Sequence, residues 1–256
     1  GGRHHDPAPL EEQPRKPFDA AIRRGGTILI PAFAVARAQL VTLMLDDLMD
    51  RGELPRIPIH IDSPMAADVT EIYERHLTSG ELDPGTGEPR RGRLFPPGVR
   101  LHRTVAESRQ LNDLDGPRII IASSGMLTGG RLLHHPPPHG RDHQNFPLLG
   151  GYQAAGTRGR RLLEGQRTMR IHGQDIPVNC HWISVDGLSA HADEEGLVEW
   201  VKSAAHKPAT IFLAHGEPDA ADALAARLTA AGYHPVVPQL DQEYEFIPSS
   251  RHWRQA

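Results

Sequence analysis

Two similar patterns, V-D-G-L-S-A-H-A-D at residues 185–193 and T-I-F-L-A-H-G-E at residues 210–217, indicate a chain in which strands and helices alternate. In each pattern an apolar, strand-like segment ends at a histidine beside small residues, His191 in the first and His215 in the second. Strand ends of this kind are where α/β proteins expose reactive side chains. Residues 194–205 between them predict an amphipathic helix, so we expect both histidines at the same edge of neighbouring parallel strands.

The histidines stand beside carboxylates. A lone histidine at a strand end is more often a core or loop residue than a chemical group. Here two histidines occupy equivalent places, with Asp193 close to His191 and Glu217 close to His215. The pattern therefore favours a metal or phosphoryl site over two unrelated structural histidines.

Composition limits the class of protein. The chain has 256 residues, enough for a large core, and a net charge of −4, so a nucleic acid must bind to a local basic patch. Its one cysteine, Cys180, excludes an internal disulfide and a Cys-rich zinc site, and fits a reducing compartment. No apolar run approaches the ~18–20 residues of a membrane span and no signal peptide precedes the first strand. We expect a cytoplasmic protein with no membrane partner.

A strand-then-helix unit repeats in the first part of the chain. The predicted pairs are residues 25–31 with 33–49, and 57–62 with 64–77. Such repeats predict right-handed crossovers and a parallel sheet. Asp62 and Ser63 fall at a predicted strand end, where a functional contact and helix capping remain open alternatives. Residues 79–98, rich in glycine, proline and arginine, predict a surface loop.

The strongest predicted strand, residues 118–122, runs into S-S-G-M-L-T-G-G-R at residues 123–131, here called the glycine loop. A loop of small residues at a strand end suits phosphate, because backbone N–H groups point outward and glycine has no Cβ to block approach. The sequence is neither a Walker loop nor a G-x-G-x-x-G fingerprint. Taken alone, a tight turn explains it as well.

Four histidines crowd the proline-rich segment H-H-P-P-P-H-G-R-D-H. They are His134, His135, His139 and His143. A metal cluster is one interpretation, since imidazole is a common zinc ligand. However, the spacings match no ligand pattern on a regular element, and Pro136 to Pro138 prevent a helix from presenting the rings together. We therefore expect no metal site in this segment.

The densest basic patch follows residue 157. Its members are Arg158, Arg160, Arg161, Arg167 and Arg170. Arginines beside a glycine turn can bind phosphate oxygens with two parallel N–H groups. A solvated helix face is the alternative.

Several of these motifs together resemble the β-CASP branch of the metallo-β-lactamase-fold RNA nucleases, which includes ribonuclease J and the endonuclease of pre-mRNA 3′-end processing. The matching strings are D-G-L-S-A-H-A-D, F-L-A-H-G-E-P, S-G-M-x-T-G-G-R, G-Y-Q-A-A-G-T-R-G-R, I-P-A-F-A-V-A-R-A-Q and I-D-S-P-M-A. The resemblance implies an α/β fold in which residues 1–165 form a parallel-sheet β-CASP domain with flanking helices. Residues 166–248 would be the C-terminal part of a metallo-β-lactamase αββα fold, and residues 249–256 a tail.

The resemblance also implies a function, that of a zinc-dependent RNA phosphodiester hydrolase with two zinc ions in the complete enzyme. His191 and His215 would be the catalytic histidines, the first beside the scissile phosphate and the second a zinc ligand. Asp186, Ser189 and Asp193 would orient these rings. The residues expected to bind RNA phosphate are Ser124, Gly125, Thr128, Gly129, Gly130, Arg131, Arg160, Arg161 and Ser189.

The family's H-x-H-x-D-H zinc motif does not occur in the sequence. His4-His5-Asp6 has the wrong spacing, and residues 1–16 predict a disordered terminus. The resemblance implies a chain that starts partway through the family's usual length and is inactive in isolation. Either a longer chain, a partner or another copy supplies the missing half, or the chain is a non-catalytic RNA- or partner-binding module. A nucleotide- or sugar-binding α/β domain is a third alternative, but it leaves the paired histidines unexplained.

Overall fold

A computed structural model describes residues 15–79, 94–135, 146–150, 153–171, 173–178, 183–185, 192–249 and 252–255 of the chain. The molecule divides into two compact units between residues 188 and 189. The domain boundary that the family resemblance implies at residue 165 stays a prediction.

The first unit is built on a six-stranded sheet in which every pairing is parallel. The strands of this unit are β1 (Thr27–Pro31), β2 (Ile59–Asp62), β3 (Val99–His102), β4 (Arg118–Ala122), β5 (Phe146–Gly150), β6 (Thr168–Ile171), β7 (Gln174–Pro177) and β8 (Ile183–Val185). The sheet order is β3-β2-β4-β1-β5-β8. The central strands β2, β4 and β1 are almost entirely buried, as expected for apolar strands covered on both faces.

Helices cover this sheet, which confirms the predicted parallel α/β class. They are α1 (Arg15–Arg23), α2 (Arg37–Asp50), α3 (Pro64–Ser79), α4 (Val105–Gln110) and α5 (Arg158–Leu163), with short 3₁₀ turns at Leu111–Asp113 and Arg131–His134. Two apolar clusters result. Phe18, Ile28, Leu45, Leu48 and Ile61 represent the larger one. Leu111, Ile120, Leu127, Leu162 and Met169 represent the other, which lies under the glycine loop.

Helix starts in this unit follow local chemistry. Helix α3 begins at Pro64, and the Ser63 hydroxyl accepts a hydrogen bond from the Ala66 N–H at 3.2 Å. Of the two alternatives for Ser63, helix capping is therefore the one observed. Helix α2 begins at Arg37 and not at Phe33 as predicted, because Ala36 has a positive φ of 61° that no helix accommodates.

A hairpin follows α5. Strands β6 and β7 pair in antiparallel fashion with Ile171 in register with Gln174, and the turn between them includes Gly173, whose φ is 83°. A further strand follows this hairpin. The third strand, β8, pairs with β5 and belongs to the large sheet.

The second unit contains α6 (Glu194–Lys202), β9 (Ile211–Phe212), α7 (Pro218–Ala230), β10 (Pro235–Val236), β11 (Tyr244–Ile247) and β12 (His252–Gln255). Val198, Val201 and Leu228 form its small core. Among the described strands, β9 pairs with β10 in parallel across helix α7, and β11 pairs with β12 in antiparallel fashion.

One sequence expectation differs from this unit. Residues 252–255 form a strand where a tail was expected, and the Trp253 ring lies 5.3 Å from that of Phe246, its cross-strand partner, at an angle of 50°. In the described ranges, no helix has the length and apolar character that a membrane crossing requires.

Candidate nucleic-acid interface

The glycine loop lies at the carboxyl end of β4, a central strand of the large sheet. In a parallel sheet this edge is where loops from neighbouring strands converge and where ligands bind. Strand β2 ends beside it, with Asp62 in register with Ala122, the residue that precedes the loop. The fold thus places the loop where a binding site is expected.

The loop's carbonyl groups are satisfied in part within the loop. The Ser123 carbonyl accepts from the Leu132 N–H at 2.7 Å, and the Ser124 carbonyl from the Leu127 N–H at 3.2 Å. The Gly129 carbonyl accepts from the Ser124 N–H at 3.3 Å. These bonds close the loop on itself.

The remaining carbonyls face donors from the segment around α5. Gln153 Nε2 donates to the Gly125 carbonyl at 3.0 Å, and the Gly159 N–H to the Met126 carbonyl at 3.2 Å. Arg158 Nη1 donates to the carbonyls of both Leu127 and Thr128, at 3.1 and 2.9 Å. Every carbonyl from residue 123 to residue 129 therefore has a protein donor.

Three N–H groups of the same loop differ from its carbonyl groups. Those of Thr128, Gly129 and Gly130 have no acceptor in the part of the chain that the structure describes. Thr128 and Gly130 are exposed, and the Thr128 hydroxyl lies 3.1 Å from that of Ser124. A backbone whose carbonyls are bonded to the protein and whose successive N–H groups are not is suited to binding an anion, because the N–H dipoles present positive charge.

Gly129 and Gly130 differ in whether a larger side chain could replace glycine. Gly130 has a φ of 77°, and a Cβ there would lie 2.6 Å from the Ser123 carbonyl oxygen. Gly129 has nothing within 4 Å of an added Cβ. Glycine is therefore obligatory at 130 for the loop's shape, whereas at 129 it keeps the approach open.

A cavity of about 530 Å³ shares Thr128 with the loop. Its lining residues are Thr128, Gly156, Arg158, Arg161, Arg170 and Gly173. Arg161 donates to the Gly156 carbonyl at 3.2 Å, and Arg170 is exposed on β6. Three arginines, with no carboxylate among the described lining residues, make this cavity positive in a chain of net negative charge. It is suited to an anion.

The predicted arginines divide between two faces of α5. Arg161 lines the cavity together with Arg158, three positions away on the helix. Arg160 is not in that lining, and its Nε pairs with Glu164 four positions along, at 2.7 Å. Sequence reasoning counted Arg158 in the basic patch but not among the site residues. The i, i+3 spacing of 158 and 161 was the signal that could have identified it.

Arg131 is turned toward the protein. Its Nη1 donates to the Thr104 carbonyl at 2.5 Å, and its Nη2 to the Arg103 carbonyl at 2.9 Å. Its Nη1 also lies 3.4 Å from Asp62 Oδ1, and the side chain is only 15% exposed. These contacts favour a structural role for Arg131 over the predicted contact with phosphate.

Asp62 is the centre of a buried polar network. Its Oδ2 accepts from Ser108 Oγ at 2.5 Å and from His135 Nε2 at 2.9 Å, and its side chain is fully buried. Burial by itself would raise the pKa of Asp62, but the hydrogen bonds from His135 and Ser108 outweigh it and hold the pKa below its ordinary value. The carboxylate is therefore charged, and it binds protein groups and not solvent.

A buried histidine pair lies beside this network. His60 Nδ1 is 2.9 Å from His102 Nε2, and His60 is 2% exposed. Burial, and then the nearby charges of His102 and Arg100, lower the pKa of His60 to about 4. His60 is therefore neutral in the folded protein at pH 7.

This pKa predicts a loss of stability in mild acid. In the unfolded chain His60 is protonated near pH 6.5, whereas in the folded protein it is protonated only near pH 4. The stabilisation of the folded state by neutral His60 is therefore complete above pH 6.5 and declines as the pH falls toward 4. We expect the free energy of unfolding in urea to be about 2 kcal/mol lower at pH 5 than at pH 8 from this group alone. His60→Gln should reduce the difference. An unchanged pH dependence in that variant would contradict the assignment.

The second unit carries the remaining described site residues. His215 follows β9, is exposed, and has a φ of 67°. Asp193 caps α6, since its Oδ1 accepts from the Gly196 N–H at 2.8 Å. Asp186, Ser189 and His191 lie outside the described residues, as do His139 and His143. The predicted position of His191 and His215 at one edge of neighbouring strands stays a prediction.

The described residues do not form a zinc site. Within those ranges, no three His, Cys, Asp or Glu side chains stand close enough to hold a metal ion. His134 and His135 belong instead to the network around Asp62. The single imidazole of His215 leaves most of a tetrahedral zinc shell unfilled.

Comparisons with known proteins agree with the motifs. Residues 38–162 match the family model of the Beta-Casp domain. Residues 175–238 match that of the Zn-dependent metallo-hydrolase RNA specificity domain. Together the two matches cover the glycine loop, most of α5, and His215.

Similar proteins include a ribonuclease and a termination factor. The chain is 32% identical over 234 residues to ribonuclease TTHA0252 of Thermus thermophilus, across 86% of this chain and 53% of that protein. It is 33% identical over 236 residues to transcription termination factor FttA of Pyrococcus horikoshii, across 85% of this chain and 35% of that protein. An RNase J-like protein of Methanocaldococcus jannaschii is 32% identical over 208 residues, 81% of this chain and 47% of that protein. The chain spans about half the length of these relatives, or less.

Proposed function

The chain belongs to the β-CASP branch of the metallo-β-lactamase-fold RNA nucleases, and we propose that it is the RNA-gripping part of a zinc-dependent RNA phosphodiester hydrolase. The observation that carries the proposal is the pattern of backbone hydrogen bonds in the glycine loop. Its carbonyls are bonded to the protein, and the N–H groups of Thr128, Gly129 and Gly130 are left for an anion. A phosphodiester is the anion that every RNA supplies at regular intervals.

The cavity lined by Arg158, Arg161 and Arg170 would add a contact to a second phosphate. Because it shares Thr128 with the loop, one phosphate at the loop's N–H groups and a neighbouring one near Arg161 and Arg170 would follow a single strand. Contacts of this kind are made to the backbone and read no base edges. Binding is therefore indifferent to sequence and depends steeply on salt, because each neutralised phosphate releases a counterion.

Salt dependence tests this arrangement. Replacing both Arg161 and Arg170 with alanine should lower the slope of log K against log salt by about 1.4, at about 0.7 for each contact to a single strand. Arg160→Ala is the matched comparison on the same helix, and it should leave the slope unchanged because its side chain pairs with Glu164. Fluorescence anisotropy of a labelled oligoribonucleotide at several salt concentrations measures both. Equal loss of slope in Arg160→Ala would contradict the assignment to the cavity.

The catalytic part of the proposal rests on the family. His215 would contribute one zinc ligand, and His191 would contact the scissile phosphate or protonate the leaving oxygen. The other ligands of two zinc ions would come from a lactamase half, in the same chain or in a partner. A non-catalytic RNA-binding module is the alternative function, and the same pattern of backbone hydrogen bonds supports it, since gripping RNA requires no metal.

A further inference from the structure

We propose that Asp62 and His135 are positioning residues, which hold the glycine loop in its phosphate-binding shape through Arg131 without touching RNA themselves. The inference rests on the proposed function of the loop. It assigns a role to a buried network that neither the sequence motifs nor the family match explains.

Asp62 holds the loop at both of its ends. Its backbone lies in register with Ala122, immediately before the loop. Its carboxylate accepts from His135 at 2.9 Å and faces Arg131 at 3.4 Å, both just after the glycines. One buried side chain therefore sets the distance between the strand that enters the loop and the turn that leaves it.

His135 is itself fixed at both ring nitrogens. Its Nε2 is bonded to Asp62, and its Nδ1 lies 2.8 Å from Asn112 Oδ1. The Asn112 amide cannot reverse without loss, because its Nδ2 donates to the His134 carbonyl at 2.8 Å. The ring is therefore oriented by two polar contacts, to Asp62 on β2 and to Asn112 in the turn after α4.

Ser108 completes the set of donors. Its hydroxyl donates to Asp62 Oδ2 and lies 2.9 Å from His134 Nδ1. The carboxylate is thus held from helix α4, from the loop's end at Arg131 and from His135. Since the Asp62 side chain is 0% exposed, its effect on a bound phosphate must pass through these neighbours.

Asp62→Asn tests the role in the full 256-residue chain. The variant keeps the side chain's shape but places an amide N–H group against donors and removes the charge opposite Arg131. We expect RNA binding to weaken about tenfold, with the salt slope lower by about 0.7 as one phosphate contact is lost. Circular dichroism establishes that the protein is folded under the binding conditions.

Leu45→Ala is the control for a general loss of stability. Leu45 lies in the larger apolar cluster, whereas Leu127 of the loop and Leu132 just after it belong to the other. Leu45→Ala should destabilise the chain strongly yet leave RNA affinity and salt slope unchanged. If it weakens RNA binding as much as Asp62→Asn does, the network is only structural and the proposal is overturned.

A second pair of variants decides the matter if Asp62→Asn does not fold. His135→Gln keeps an amide donor for Asp62, whereas His135→Leu keeps none. We expect His135→Gln to retain most of the RNA affinity and His135→Leu to lose it; equal affinities would overturn the proposal. If the wild-type protein binds no RNA, the proposed function is refuted. If the wild type and Asp62→Asn bind RNA with equal affinity, only the positioning role is refuted.

Discussion

Gly130→Ala is expected to weaken RNA binding by more than about thirtyfold and to lower the free energy of unfolding by about 2 kcal/mol. The added Cβ would lie 2.6 Å from the Ser123 carbonyl oxygen and 2.8 Å from its carbon, both backbone atoms that cannot rotate away. Alanine also disfavours the φ of 77° that this position requires. The loop must open, and its N–H groups then no longer converge on one phosphate. Anisotropy with labelled RNA and urea unfolding measure the two effects.

Gly129→Ala is the matched control, one residue away. Its Cβ meets nothing within 4 Å, and the position does not need a left-handed backbone. We expect RNA affinity within about twofold of wild type, because the N–H groups keep their directions. Normal RNA binding by Gly130→Ala would show that the phosphate does not lie at this loop.

Adding a lactamase half to the 256-residue chain should produce the largest change in activity. The isolated 256-residue chain is expected to bind zinc poorly and to cleave no RNA, because one imidazole leaves most of each zinc shell to water. Supplying the upstream half, in one chain or in trans, should give zinc binding and cleavage together. In that context His215→Ala should abolish both, whereas His191→Ala should spare the metal and slow hydrolysis.

His206→Ala is the control for the histidine variants. His206 is another exposed histidine of the second unit, and it has no assigned role. Its replacement should change neither the zinc content by elemental analysis nor the rate of RNA cleavage. Two tightly bound zinc ions in the isolated chain would mean that the ligands have been misassigned.

The sequence predicted the first unit better than the second. The apolar runs at residues 25–31, 57–62 and 118–122 correspond to strands β1, β2 and β4, because long buried strands leave a clear local signal. Strands β9 and β10 have two residues each, too few for an alternating pattern to indicate their partners. The strand at residues 252–255 was missed because its apolar content is a single tryptophan.

In the candidate site, too, the sequence predicted some features and not others. The glycine loop could be predicted because S-S-G-M-L-T-G-G-R follows a strand, which is local information. The inward orientation of the Arg131 and Arg158 side chains could not be predicted, since each looks like any exposed arginine until its hydrogen-bond acceptors are known. Arg158 reaches Thr128 across 30 positions, and His135 reaches Asp62 across 73.

The amino-acid sequence by itself determined the family, the parallel α/β class and the loop at the end of β4, because motif strings and hydrophobic periodicity are properties of neighbouring residues. Only the tertiary structure decided which polar groups face the protein and which face a ligand. It assigned Arg161 to the cavity and Arg160 to Glu164. It bonded the loop's carbonyls at residues 123–129 to protein donors and left the N–H groups of Thr128, Gly129 and Gly130 without an acceptor among the described residues. The physical reason is that a hydrogen bond needs a donor and an acceptor within about 3 Å, and the fold brings such partners together from distant parts of the chain.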